Sequence, residues 1–378
     1  MATLEELRVE LDEIDNQMVE LYQKRMNVCR EVGDYKVKAG RKVYDRQREQ
    51  EKLADVASKV ENDFDKSGVR ELYTQLMSMS RKLQYQKLVE AGALGRLPFI
   101  QIDSLEKDTA RVVFQGTEGA YGEAAMHQFF GEDVNCFHVR TFRDAMTAIE
   151  EGAADYAVLP IENSSAGFVN GIYDLLERYQ LNIVGEQKIQ INQCLLGLPG
   201  TDMEKITTVF SHPQGLMQSK EYLEQTDWKQ VSMSNTALAA KKVHDDNDPT
   251  QVAIASERAA SLYGLEVLNP QLNRSDLNTT RFVIVSNQRV YEKNANKISI
   301  SFSLPHECGT LYNILAHFIF NDINMTSIES VPMSNRQWEY CFFIDFEGSL
   351  DDSQVKNALK GIEAETEDFK ILGAFVAR

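Results

Sequence analysis

Three folds in series are expected of this 378-residue chain: an all-α domain, a two-lobed α/β domain and a smaller α+β domain. Three observations predict them. Leu4, Leu7, Leu11, Ile14, Met18, Leu21, Arg25, Val28, Val32 and Tyr35 recur at spacings of three and four, the pattern of one long helix with a heptad seam. From Arg111 onward, short apolar runs alternate with helical stretches. After Ile298 the pattern reads strand, helix, strand, strand, helix, strand.

The elements follow in order. No Pro interrupts the first helix, and a short loop around Ala39-Gly40 ends it. A second helix is expected over 43–61 and, past a break at Ser67-Gly68, a third over 69–88. These make a helical domain over 1–90. A first helix this long overhangs any three-helix fold of that size, so its seam calls for another protomer. Residues 91–109 are rich in small and turn residues and read as a linker. Strands are expected at 111–115, 156–159, 207–210, 252–255 and 282–285, which gives an α/β domain over 110–286. Its length allows two lobes, with the chain crossing near 187–195 and 270–280. Residues 287–296 read as a polar connector. The last segment, 297–376, has the βαββαβ order of a ferredoxin-like unit.

Composition narrows the function. Forty Lys+Arg against 57 Asp+Glu give a net charge of −17, which disfavours nucleic acid and anionic membrane as partners. No apolar run is long enough to span a bilayer. Glu5, Glu6, Glu10, Asp12 and Glu13 stand where a secretory signal would be apolar, so a cytoplasmic location is expected. Cys29, Cys136, Cys194, Cys308 and Cys341 are scattered and form no CxxC, and no HExxH occurs, so neither disulfides nor a metal are expected. The charge is uneven. Residues 1–90 hold 17 Lys+Arg against 18 Asp+Glu, the remainder 23 against 39. The helical domain therefore has cations to spare for an anionic ligand.

Those cations share a face. Arg25 occupies the seam, and Lys36, eleven residues on, lies about 20° away around the helix. Arg8 is about 100° off that face and points to a different neighbour. Asp45, Arg48, Glu49 and Lys52 run along one face of the second helix, and Tyr73, Met77, Ser80 and Gln84 along one stripe of the third. A site with several cations, few carboxylates and small polar groups suits a small dianion. With no nucleophile–base pair, its chemistry would be orientation plus electrostatic stabilisation.

Over residues 1–88 the chain resembles the all-helical chorismate mutases. Arg8, Arg25, Lys36, Asp45, Arg48, Glu49, Ser80 and Gln84 fall where that family keeps its site residues. The resemblance implies an intertwined homodimer, or a higher homo-oligomer, in which Arg8 reaches the partner's site. It implies rearrangement of chorismate to prephenate, with Arg8 and Arg25 on the carboxylates, Lys36 and Gln84 on the ether oxygen and Glu49 on the ring hydroxyl.

In the middle region, Pro160-Ile161-Glu162-Asn163-Ser164-Ser165 and Ser211-His212-Pro213-Gln214 follow strands, and Thr279-Thr280-Arg281-Phe282 leads into one. Ligands of open α/β sheets bind outside the carboxyl ends of strands. Gly116, Gly119 and Gly122 give GxxGxxG around Tyr121, which is not the dinucleotide fingerprint. As a set these motifs resemble prephenate dehydratase. The resemblance implies a two-lobed, periplasmic-binding-protein-like fold that turns prephenate into phenylpyruvate, CO2 and water. Thr280 would be the leading catalytic residue, Asn163, Ser211 and Gln218 its partners, Arg281 a carboxylate clamp and Glu162 a candidate acid, with His212 supporting its loop. Gly122 departs from the family's usual Ser.

The terminal unit resembles an ACT domain, an amino-acid sensor. Gly309-Thr310-Leu311 and Glu329-Ser330-Val331-Pro332 stand for the family's Gly-Ala-Leu and Glu-Ser-Arg-Pro. The resemblance implies L-phenylalanine bound by Gly309, Thr310, Leu311, Asn321, Ile323, Glu329 and Ser330, with Val331 removing a charge. No cofactor is implied. Two rivals remain at this level: a mutase joined to a prephenate dehydrogenase, which would need a nicotinamide site, and a mutase joined to a non-catalytic ligand-binding module.

Overall fold

The computed structural model describes residues 2–93, 95, 97–169, 171–272, 278–333 and 339–378. In chain order it begins with α1 (Leu4–Ala39), α2 (Arg46–Ala57) and α3 (Asp63–Glu90). Then come β1 (Ile100–Ile102), β2 (Arg111–Gln115), α4 (Tyr121–Phe130), β3 (Asn135–Val139), α5 (Phe142–Glu150), β4 (Tyr156–Asn163), β5 (Gly167–Phe168), α6 (Ile172–Tyr179) and β6 (Asn182–Gln190). They are followed by β7 (Cys194–Gly197), β8 (Thr208–Ser211), α7 (Pro213–Gln218), α8 (Lys220–Leu223), β9 (Lys229–Ser232), α9 (Thr236–Asp246), β10 (Gln251–Ala255), α10 (Glu257–Tyr263) and β11 (Glu266–Asn269). The last elements are β12 (Thr279–Ser286), β13 (Val290–Glu292), β14 (Lys297–Ser303), α11 (Thr310–Phe320), β15 (Met325–Pro332), β16 (Tyr340–Glu347), α12 (Ser353–Glu365) and β17 (Glu367–Phe375). No described helix is long and apolar enough to cross a membrane.

The chain divides into two compact units, one of residues 1–98 with 298–371, the other of residues 99–297 with 372–378. In the first unit, Thr3 and Glu6 form a reciprocal capping box that starts α1, and Gly40 ends it in the left-handed conformation (φ 62°). Asp45 and Asn62 cap α2 and α3. The expected break at Ser67-Gly68 does not occur, because α3 already starts at Asp63. Gly68 sits in an exposed turn, where its cost of about 1 kcal/mol is tolerated. Apart from Arg25, which bonds Ser80 and Leu76, most of the heptad seam of α1 is not what packs on α3. Leu4, Leu11, Leu21, Val28 and Tyr35 are each more than half exposed, whereas Met26 and Gly33 are buried. In the same unit β14 to β17 and two helices form the βαββαβ fold, with sheet order β15-β16-β14-β17.

The second unit holds two larger sheets. One runs β3-β2-β4-β12-β6 and the other β9-β8-β10-β7-β11. Their cores are separate, Phe114, Met126, Phe129, Val158 and Ile284 in the first and Leu196, Phe210, Ala253 and Ala255 in the second. The chain passes from the first sheet to the second between β6 and β7 and returns between β11 and β12; residues 273–277 of that return lie outside the described residues. Two expectations change in detail. The Pro-Ile-Glu-Asn motif lies inside β4 and Thr-Thr-Arg-Phe inside β12, because the two strands pair antiparallel through these residues. The expected linker and connector each contain a short strand, β1 and β13, paired with one another in parallel.

Candidate functional site

The first cluster lies where α1 meets α2 and α3. Arg25 Nη1 donates to Ser80 Oγ at 2.6 Å and to the Leu76 carbonyl at 3.0 Å. Cys29 Sγ, one turn on, is 3.3 Å from the same Ser80 Oγ. Lys36 Nζ donates to the Val43 carbonyl at 2.6 Å. Its half-burial lowers the Lys36 pKa, a desolvation that Asp45, Glu49 and Cys29 oppose. Gln84 is buried against Gly33, where a Cβ would stand 3.3 Å from Gln84 Cγ, so glycine lets the two helices close. Gln84 Oε1 has no hydrogen-bond partner among the described residues. This oxygen is free to accept from a ligand donor.

Of the eight residues expected in this site, Arg25, Lys36, Asp45, Glu49, Ser80 and Gln84 converge. Asp45 does so from the end of α2, where its carboxylate accepts from the Arg48 amide at 3.1 Å. The Arg48 side chain is largely exposed, 3.8 Å from Glu51. Arg8 does not join them. It lies about 26 Å up the same helix from Arg25, so one chain alone cannot bring the two to one small ligand. Sequence reasoning missed Arg81. Its buried guanidinium pairs with Glu49 on one side and with Glu365 on the other, at 2.7 Å, and lies 5.0 Å from the Tyr44 ring. The available signal was a second stripe on α3, Ser78, Arg81, Lys82 and Tyr85, all buried.

The second cluster sits where β4 ends and β12 begins. Antiparallel pairing sets Thr280 opposite Asn163 and Arg281 opposite Glu162. Consecutive strand residues point to opposite faces, so these are two separate pairs. On one face Asn163 Nδ2 donates to Thr280 Oγ1 and to Asn278 Oδ1, both at 2.9 Å. Asn163 Oδ1 accepts from the Ser165 and Ala166 amides at 3.0 and 2.9 Å, which fixes the amide's orientation. Thr280 therefore receives a bond and keeps its own proton to give. On the other face Arg281 is buried, with Glu162 at 3.3 Å and Glu186 at 3.4 Å. Glu186 is wholly buried and also meets Lys297 Nζ at 2.9 Å.

Ser211 and Gln218 belong to the other sheet's lobe. Ser211 is buried and donates to the Ile254 carbonyl at 2.7 Å. Gln218 accepts from Gln193 at 3.1 Å. His212 caps α7 by accepting from the Gln214 amide, and burial lowers its pKa. Gly122 is buried, and a Cβ there would lie 3.1 Å from the Gln115 carbonyl, so glycine suits this turn.

In the βαββαβ unit, Gly309 opens α11 with φ 81° and Thr310 Oγ1 donates to the Glu307 carbonyl at 3.1 Å. Asn321 closes that helix, buried, with its amide on the His317 carbonyl at 2.8 Å. Leu311 and Ile323 are half-buried. Glu329 and Ser330 lie on β15, at the edge of the sheet order, pointing to opposite faces. Among the described residues no group of three or more His, Cys, Asp and Glu is gathered as a metal would need.

Two families match the chain: chorismate mutase type II over residues 7–85 and prephenate dehydratase over residues 112–290. A bifunctional chorismate mutase/prephenate dehydratase of Enterobacter agglomerans is 30% identical, with the match covering 98% of this chain and 95% of the relative. Arogenate dehydratase 3 of Arabidopsis thaliana is 34% identical over 82% of this chain and 76% of its own length. Among solved structures, the prephenate dehydratase of Arthrobacter aurescens in complex with L-Phe superposes with a TM-score of 0.66 at 28% identity, covering 71% of this chain and 90% of that one.

Proposed function

From the premise that the chain belongs to the bifunctional chorismate mutase/prephenate dehydratases, we infer that it carries out two successive steps towards phenylalanine. It rearranges chorismate to prephenate, then converts prephenate to phenylpyruvate, CO2 and water. The domains we assign are 1–90 for the mutase, 110–286 for the dehydratase and 297–376 for an ACT-type regulatory domain. No cofactor or metal enters either step, and a cytoplasmic location suits both.

The observation that carries the mutase reading is Arg25 anchored on Ser80 beside Cys29, with Lys36 set among Asp45, Glu49 and Cys29. Arg25 holds one carboxylate of chorismate. Lys36 and Gln84 donate to the ether oxygen as charge grows there, and Glu49 takes the ring hydroxyl. Arg8 and the exposed seam belong to a second copy of the chain, whose own seam covers this one. In the dehydratase, Thr280 gives its proton towards the departing hydroxyl while Asn163 orients it. We assign Arg281, with Glu162, to ionic support behind that pair, in place of the clamp and acid that the family resemblance implies. Gln218 belongs to the facing lobe, which the buried Ser211 supports through the Ile254 carbonyl. L-Phenylalanine, which the Arthrobacter enzyme binds, is the proposed effector at Gly309, Thr310, Leu311, Asn321, Ile323, Glu329 and Ser330.

The test is a cofactor-free assay that follows chorismate, prephenate and phenylpyruvate together. Phenylpyruvate should form, and less of it when phenylalanine is added. Prephenate that accumulates without further change would remove the dehydratase assignment. A second expectation concerns assembly. Leu11 is 58% and Ile14 46% exposed, and Leu11→Asp with Ile14→Asp should convert the dimer to monomers and abolish mutase activity. Unchanged mass in sedimentation would show that the seam is not the interface.

A further inference from the structure

Glu49 is held in place by a relay that starts in the βαββαβ unit. The guanidinium of Arg81, on α3, lies between Glu49 of α2 and Glu365 at the end of α12. Its Nε and Nη2 meet the two oxygens of Glu365 at 2.7 and 3.0 Å, a bidentate fork, and Nη1 meets Glu49 Oε2. Glu365 is itself fixed from behind by His317 Nε2 at 3.1 Å. His317 is fully buried and fits only because residue 361 is glycine: a Cβ there would stand 2.2 Å from the imidazole Cε1. Lys82, next to Arg81, ties the same helix to the Ala316 carbonyl at 2.8 Å. Burial alone would raise the Glu365 pKa, but the His317 hydrogen bond and the Arg81 charge hold it at about 2, so the carboxylate is permanently charged near neutrality.

Arg81 faces two carboxylates. Remove Glu365 and its planar fork loses the partner that sets its orientation, and Glu49 loses a fixed counter-charge. We propose that Arg81 and Glu365 are positioning residues of the mutase, so that the C-terminal unit completes the geometry of the N-terminal active site through Glu49. The relay acts without touching substrate. It turns α12, some 280 residues downstream in sequence, into part of the support of a helical site. Any movement of α12 relative to α3 is then felt at Glu49.

This rests on the reading of Glu49 as a mutase residue, and the experiment separates the two. Mutase and dehydratase rates are measured on the full chain for Glu365→Gln, Glu49→Gln and the double variant. Glu365→Gln should lower mutase kcat/KM about tenfold, chiefly through kcat, the size of effect expected when a catalytic group is displaced. Prephenate turnover in the same preparation should be unchanged. In the Glu49→Gln background the same substitution should cost less than about twofold, because the group it positions is gone. Normal mutase kinetics in Glu365→Gln, with Glu49→Gln impaired, would overturn the relay and leave the reading of Glu49 intact. Equal losses in both backgrounds would also overturn it, as the signature of a merely structural residue. A fully active Glu49→Gln would sink both. Should Glu365→Gln not fold, Glu365→Asp keeps the charge, withdraws it from Arg81 and enters the same cycle with the same criteria.

Discussion

Replacing Arg25 by alanine should lower prephenate formation from chorismate by about 10²–10³-fold and leave prephenate turnover unchanged. Arg25 is anchored on α3 by two hydrogen bonds. Ser80 Oγ at 2.6 Å and the Leu76 carbonyl at 3.0 Å hold its Nη1 before any ligand arrives. A pericyclic rearrangement offers the enzyme no nucleophile to activate and no proton to move. The catalytic power must therefore come from holding the two carboxylates and the developing charge in one geometry, and a fixed guanidinium supplies both. A factor of 10³ corresponds to about 4 kcal/mol, within reach of one buried charge-assisted contact. Arg25→Lys restores the charge but not the fork, and should recover only part of the loss. The measurement is the rate of chorismate disappearance beside the rate of phenylpyruvate formation from added prephenate. A mutase that keeps more than half its rate in Arg25→Ala would remove the site described. Mixed dimers give a sharper version. Chains with Arg8→Ala and chains with Arg25→Ala should regain mutase activity when paired, since one of the two sites in each such dimer then has both arginines intact.

Local features of this chain were legible in the sequence, and partnerships at long range were not. Periodicity alone defined α1, because a helix records its faces every three or four residues. The same periodicity marked a seam that α3 does not cover, and the exposure of Leu4 to Tyr35 is the structural counterpart. The phases of Arg25 and Lys36 against Arg8 followed from helical geometry. What failed were boundaries: Ser67-Gly68 looks like a break, yet the Asn62 cap and a helix-favouring run carry α3 through it. In the second unit the motifs were found but their faces were not. Whether Thr280 and Arg281 point the same way depends on whether they lie in a loop or a strand, and only the pairing of β12 with β4 decides it. The stripe on α3 could have marked Arg81 as buried, but its partner Glu365 is 284 residues away, a contact with no local signal.

Thr280→Ala should lower the conversion of prephenate to phenylpyruvate by about 10²–10⁴-fold, with chorismate still consumed at the normal rate and prephenate accumulating. Loss of carboxylate and hydroxyl from prephenate is driven by aromatisation, so the enzyme has chiefly to make the hydroxyl a better leaving group. A hydroxyl side chain does this only if its proton points at the substrate. Asn163 sets that direction. Its Oδ1 is taken by two backbone amides, so its Nδ2 must donate to Thr280 Oγ1, and a hydroxyl that receives on one side gives on the other. A second substitution changes almost no volume. Asn163→Asp replaces the donor with an acceptor, turns the Thr280 proton inward and places a negative charge beside a dianionic substrate. It should therefore cost at least as much as Thr280→Ala in kcat. If Asn163 merely packed against its neighbours, the nearly isosteric Asp would be mild, and the order of the two variants would reverse. Thr280→Ser keeps the hydroxyl and should retain most of the rate. A Ser variant as poor as the Ala variant would mean that the methyl group, not the proton, is what the site requires.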